Sequence, residues 1–252
     1  DWYSDYQSFK REFMPPPSTG DLIVRRELSQ TLAEIASTKG ESFYRGSLGE
    51  RIEQAALKEG GALRMNDLSE HEVEWVDLMS QNFQDTTAYE IPPNGQGLAA
   101  LIALGILNEC EISEVDSVDS FHYQIEAMKV GLFLSKKYIA DPNYMEIKPA
   151  ELLDSGLFRK YAVNIGNNAS EVPPIDCLKG GDTVYLSVGD SSGKMVSFIQ
   201  SNYFGFGSGI VIPDSGIALQ NRGWGFTLER GHPNEVGPGK KPFHTIIPGF
   251  IM

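Results

Sequence analysis

The sequence predicts an α+β protein in which helices cover a sheet. Two observations lead there. Apolar residues recur at helical spacing through the first two-thirds of the chain. From residue 183 onward the pattern switches to short alternating runs punctuated by Gly and Pro. Helices first and strands later indicates α+β in preference to repeated βα units. The chain has 252 residues, 41% hydrophobic and 22% charged, which is ordinary globular material for one large domain or two small ones.

In chain order, 27–37 (ELSQTLAEIAS) places Leu28, Leu32 and Ile35 on one helical face. A second helix is expected over 47–58, with Ser47 and Glu50 as a capping box and Gly60-Gly61 as its stop. The Pro/Gly loop of IPPNGQGLAALIALGIL opens a helix over 98–107 that is apolar all round and therefore buried. A further helix is expected over 120–138, capped by Asp119, and a shorter one over 151–161. Residues 164–181 read as a linker punctuated by Gly and Pro. Strands follow at 183–188, 194–201, 209–212, 216–220 and 243–247. The first two form a hairpin around Asp190-Ser191-Ser192-Gly193. Residues 221–242 form a long Gly/Pro loop, a length often reserved for function.

Composition narrows the function classes. A net charge of −13 argues against nucleic acid and anionic membrane surfaces, which need clustered Lys and Arg. The two cysteines, Cys110 and Cys177, fit no metal or redox spacing and read as thiols in preference to a disulfide. His71, His122, His232 and His244 form no ligand motif, so neither a metal nor a cofactor is expected. No apolar run is long enough to span a membrane, and the first residues carry no apolar signal core, leaving the compartment open.

The step Gly180-Gly181-Asp182-Thr183 stands out. A linker runs through two glycines into a Thr that opens a strand. Such a Thr is ordinarily a β-branched strand starter. Cleavage of the Asp182–Thr183 bond would instead give Thr183 a free amine with a pKa near ~7.7–8.0, able to act as base for its own hydroxyl.

The run GGDTVYLSVGDSSGKMVSFIQSNYFGFGSGIVIPDSGIALQNRGWGF, followed by GHPNEVGPGKKPFHTIIP, resembles the γ-glutamyltranspeptidase superfamily of N-terminal-nucleophile (Ntn) hydrolases. So do the upstream stretch from GDLIVRREL to NDLSEH and IPPNGQGLAAL. The resemblance implies a four-layer αββα sandwich, present here as a partial chain. It makes 1–182 a large-subunit-like helical region and linker and 183–252 the start of a small-subunit-like β region, within one intertwined domain. It implies self-cleavage between Asp182 and Thr183, a heterodimer of large and small subunits, and a small-molecule amide as substrate. By analogy the first part of the large subunit and the last part of the small one are missing, with the oxyanion-hole Gly-Gly pair. The chain alone is then expected to be inactive.

By the same resemblance Thr183 is the nucleophile and Ser201 a hydroxyl that orients it. Tyr203, Asn221, Arg222, Gly225, His244 and Thr245 fall at substrate-contacting positions. Surface or strand-end roles remain open for Ser201 and Arg222, and structural or substrate-positioning roles are favoured over catalytic ones for His232 and His244. Trp224 reads as a pocket or surface aromatic. Three departures stand out. Gly225 replaces an acidic residue that holds the substrate's α-amino group, and His244-Thr245 replace a pair of serines that hold its carboxylate. Tyr203 replaces an Asn. The pattern is similar to the branch of cephalosporin (glutaryl-type) acylases and oxamate amidohydrolases. The leading reading is a threonine amidohydrolase or acyltransferase acting on γ-glutamyl or related acyl amides. The alternatives are a non-catalytic homologue and an unprocessed precursor.

Overall fold

The computed structural model describes residues 3–112, 114–171 and 183–252. They fall into two compact units, Asp1–Trp75 with Asn202–Asn221, and Val76–Ser201 with Arg222–Met252.

The first unit holds α1 (Gln7–Phe13), α2 (Arg26–Thr38), α3 (Glu41–Arg45), α4 (Ser47–Lys58) and α5 (Met65–Ser69), with the short strands β5 (Val211–Ile212) and β6 (Ile217–Ala218). Helix α2 matches the predicted span, yet Leu32 is exposed and the buried residue on its face is Thr31. The Thr31 hydroxyl donates to the Ser215 carbonyl at 2.8 Å, which satisfies a buried polar pair. Helix α4 begins at Ser47 as expected but has no capping box. Gly46 is its N-cap, and the Ser47 hydroxyl donates to Glu34 instead. Ile52, Ala55 and Ile212 form the small core, and Tyr3, Phe9, Phe13 and Phe206 form an aromatic cluster with centroids 4.7–5.9 Å apart.

The second unit is organised around α6 (Gly97–Leu107), where Leu98, Leu101, Ile102 and Ile106 are completely buried. A helix apolar on every side needs cover on every side. The cover comes from α7 (Val118–Tyr138), α8 (Ser155–Ala162) and the hairpin of β1 (Met79–Phe83) and β2 (Thr86–Glu90). The cap of α7 is Ser117, whose hydroxyl accepts from Ser120 N–H; the expected Asp119 lies inside the first turn. Where one helix was expected at 151–161, a 3-10 turn at Pro149–Leu153 is followed by α8, capped by Asp154.

The β1–β2 hairpin sits in a region read from sequence as helical. It extends to β7 (Phe250–Ile251) in a three-stranded antiparallel sheet. β3 (Thr183–Gly189) and β4 (Met195–Ser201) form the predicted hairpin. Its turn is closed by the Asp190 carboxylate, which accepts from the Ser192 N–H, the Ser192 hydroxyl and the Lys194 N–H. Those bonds hold the Asp190 carboxyl below its ordinary range. The strand expected over 243–247 is absent. That segment makes one isolated bridge, Gly95 to His244, and the strand forms further on at 250–251. No helix of the described residues is long and apolar enough to cross a membrane.

Close packing against α6 gives a direct test. A Cβ at Gly105 would lie 2.2 Å from the Phe158 ring of α8. Gly105→Ala should therefore cost about 1–3 kcal/mol through overpacking, despite the better helix propensity of Ala. Denaturant unfolding of the full-length protein checks this; an unchanged or higher midpoint counts against it.

Candidate active site

Thr183 is the first residue of β3, and its partner across the ladder is Ser201, the last residue of β4. Directly opposed residues on an antiparallel pair point to the same face with Cβ atoms about 4.5–5.5 Å apart. The two hydroxyl residues picked out in the sequence are thus brought together by strand register. Thr183 is exposed and Ser201 partly buried. Asp182, Gly180, Gly181 and Cys177 lie outside the described residues. Cys110 is a free thiol; burial raises its pKa, with the charge of Glu109 adding to the effect.

Arg222 and Gly225 open and close a 3-10 turn that also carries the exposed Trp224. Gly225 lies hard against the neighbouring segment: an added Cβ would come within 2.1 Å of the Phe243 carbonyl oxygen. Asn234, which is buried, locks that arrangement. Its Nδ2 donates to the Gly225 carbonyl at 2.6 Å and its Oδ1 accepts from Phe243 N–H at 3.0 Å. The Gly at this position is therefore a packing requirement, and no acidic side chain fits there without moving backbone.

His244 is held by the loop before α6. Its N–H donates to the Asn94 carbonyl at 3.2 Å, and Asn94 Nδ2 donates to the Pro242 carbonyl at 2.6 Å. The imidazole packs against Gly95, where an added Cβ would sit 2.9 Å from its Cε1. Its Nδ1 is sealed from solvent without a hydrogen-bond partner among the described residues. Burial pushes the His244 pKa down to about 4, the Arg222 guanidinium pushes the same way, and the Ile246 carbonyl opposes them. At neutral pH the ring is uncharged. Thr245 follows it, exposed.

Both ring nitrogens of His232 meet backbone groups. Its Nδ1 accepts from Asn234 N–H at 3.0 Å and its Nε2 contacts the Lys136 carbonyl at 3.2 Å. A carbonyl only accepts, so Nε2 is the donor in that contact. Tyr203 and Asn221 belong to the first unit. Tyr203 has φ +82°. Asn221 Oδ1 accepts from Phe204 N–H at 3.1 Å, and Asn221 N–H donates to Asn202 O at 3.1 Å, closing the base of the 202–221 excursion.

Three residues of this region escaped the sequence reading: Asn94, Asn234 and Glu90. Asn94 carried a signal, the NG turn inside PPNGQG; Asn234 and Glu90 carried none. Glu90 is 7% exposed, and its Oε2 has no hydrogen-bond partner among the described residues. It is cradled by Gly97 and Gly249, where an added Cβ would meet its carboxyl oxygens at 2.5 and 2.6 Å. Burial raises its pKa to about 7. No group of three or more His, Cys, Asp or Glu suited to a metal occurs among the described residues.

A family profile described as gamma-glutamyltranspeptidase matches residues 3–252. The chain belongs to the γ-glutamyltranspeptidase family. It is 35% identical over 237 residues to a glutathione hydrolase-like proenzyme of Bacillus subtilis, an alignment covering 93% of this chain and 45% of that one. It is 37% identical over 232 residues to an oxamate amidohydrolase proenzyme of Klebsiella pneumoniae, covering 92% and 44%. A cephalosporin acylase from Bacillus halodurans superposes with TM-score 0.92 at 43% identity, over 98% of this chain and 46% of that one. The chain has the fold of γ-glutamyltranspeptidase-type Ntn hydrolases and spans a little under half the length of these relatives.

Glu90 yields a sign that is open to measurement. A folded pKa near 7 against an ordinary 4.5 means its contribution to stability is fully present below pH 4.5 and is lost as pH rises through 7. Glu90→Gln should remove that slope and stabilise the full-length protein at pH 8 by on the order of 1–3 kcal/mol. Unfolding midpoints of both proteins from pH 4 to 8 check it; parallel pH profiles would count against it.

Proposed function

We propose that the full-length protein is an autoprocessing threonine amidohydrolase or acyltransferase acting on γ-glutamyl or related acyl amides. The observation that carries this reading is the placement of Thr183 at the open end of β3, directly across from Ser201. Cleavage before Thr183 turns a strand end into a chain terminus without disturbing the ladder. The freed amine then takes the Thr183 hydroxyl proton as the oxygen attacks the substrate carbonyl. The amide C–N bond breaks, the leaving amine takes that proton, and an acyl ester on Thr183 remains. Water or an amine then attacks the ester and releases the acyl group. Ser201 is assigned as the hydroxyl that orients Thr183. The relatives named as proenzymes support a large and a small subunit after cleavage. The two sheets of the second unit are assigned to the inner layers of an αββα sandwich.

Arg222, Gly225, His244 and Thr245 are assigned to the acyl-binding side. Relatives named oxamate amidohydrolase and cephalosporin acylase support acyl groups other than γ-glutamyl within the same chemistry.

The full-length gene product should run as two bands on a denaturing gel, with the smaller beginning at Thr183 on N-terminal sequencing. Thr183→Ala should remain one band and lose more than about 10³-fold in amide hydrolysis. An unprocessed Thr183→Ala protein with full activity would falsify the reading.

A further inference from the structure

We infer that Glu90 is a positioning residue for the hairpin that carries Thr183, acting through Gly249 and Ser197. The inference rests on the reading of Thr183 as the nucleophile of a self-cleaving chain, and it adds a group that governs where that nucleophile stands.

The link is built from contacts within the second unit. β2 and β7 pair Tyr89 with Phe250, and one step along that register Gly249 stands opposite Glu90. The Glu90 carboxyl lies over Gly249 so closely that an added Cβ would meet Oε1 at 2.6 Å. Gly249 in turn holds β4: its carbonyl accepts the Ser197 hydroxyl at 2.9 Å, and the Tyr185 hydroxyl lies 3.0 Å from the same Oγ. Tyr185 is two residues from Thr183 and Ser197 is four from Ser201, so this tie is on the face of the hairpin that carries Thr183.

The carboxyl is also sealed. Oε2 is buried against Gly97, the first residue of α6, with no hydrogen-bond partner among the described residues. No group from elsewhere reaches that oxygen without moving the atoms that seal it. β1, α6 and β7 carry no ionisable side chain, and the other one on β2, Tyr89, points to the opposite face. His244, packed on Gly95 in the adjoining loop, is uncharged above about pH 4. Burial is the one cause of the Glu90 shift, so neither His244 nor Arg222 offsets it. The neutral acid fits this place. The carboxylate, formed as pH rises through about 7, is an unpaired buried charge. Its relief is displacement of Gly249, and the Ser197 bond passes that displacement to β4. Misplacement by about 1 Å can cost a nucleophile ~10²-fold in rate.

Self-cleavage gives the readout, because it needs no chosen substrate. The Thr183 hydroxyl adds to the Asp182 carbonyl, the C–N bond breaks as the proton passes to nitrogen, and water hydrolyses the resulting ester. The full-length chain is pulse-labelled in cell-free synthesis and shifted to buffers from pH 5.5 to 8.5, and its conversion to two bands is timed. Glu90→Gln, which mimics the neutral acid, should cleave at the wild-type rate at pH 5.5 and at least about fivefold faster than wild type at pH 8.5. In a Ser197→Ala background the same substitution should change the rate by less than about twofold at every pH. A Glu90 that served packing alone would shift the rate equally across the range. A ratio that stays flat with pH, a rise that survives Ser197→Ala, or a Glu90→Gln chain that never cleaves overturns the inference. The underlying chemistry is tested separately. A wild-type chain that never cleaves, or cleavage that persists in Thr183→Ala, defeats the threonine reading and this one with it. Thr183-dependent cleavage with a flat ratio defeats only the role of Glu90.

Discussion

The register between β3 and β4 is the constraint on which the candidate site depends. Side chains alternate faces along a strand, so a slip of one residue would turn Ser201 away from Thr183. In most sheets burial of one face sets the register. Here it does not: Val184, Tyr185, Leu186, Val188, Met195, Val196 and Phe198 are all exposed within this chain. The register is instead set at the turn, where Asp190 gathers three hydrogen bonds and Gly193 adopts φ +84°. A polar turn distant from the threonine thus determines what stands opposite it.

The 222–225 turn and the 242–246 segment are held on a different principle. Residues 242–246 have the apolar content of a strand but no partner ladder. Two asparagines replace the ladder: Asn94 donates from its side chain to Pro242 O and accepts His244 N–H at its backbone carbonyl, while the Asn234 side-chain amide bonds both Gly225 and Phe243. An amide offers both donor and acceptor, so one Asn can fix two backbone segments against each other. This arrangement explains why the segment can carry a His and a Thr in sequence without committing them to alternate faces of a sheet.

Legibility from sequence follows the same division. The β3–β4 hairpin was legible because alternation and a turn signal agree, and a turn centred on Ser192 puts Thr183 and Ser201 opposite each other. Helix α6 was legible because its apolar run is uninterrupted. The β1–β2 hairpin was not, because MSQNF and TTAYE alternate with few aliphatic residues. The α7 cap was misplaced because Ser117 and Asp119 are both good caps two residues apart. The 243–247 strand was over-read because PFHTIIP has the right apolar content, while the residues that hold it are Asn94, far away in sequence, and Asn234, in the loop just before. Gly225 was noticed as a departure, but its cause, contact with the Phe243 carbonyl, exists only in three dimensions.

Electrostatics in the second unit points one way. Glu90 and His244 both pay for burial in their titration, in opposite directions: the acid moves up to about 7 and the imidazole down to about 4. Each shift favours the uncharged form. Glu90 sits at the start of the loop that ends in Gly97, and His244 rests on Gly95 within it. Burial is the main cause at His244, and the Arg222 guanidinium adds to it in favouring the neutral ring. Asn94, Asn234 and the close contact at Gly225 hold the backbone around that imidazole in place.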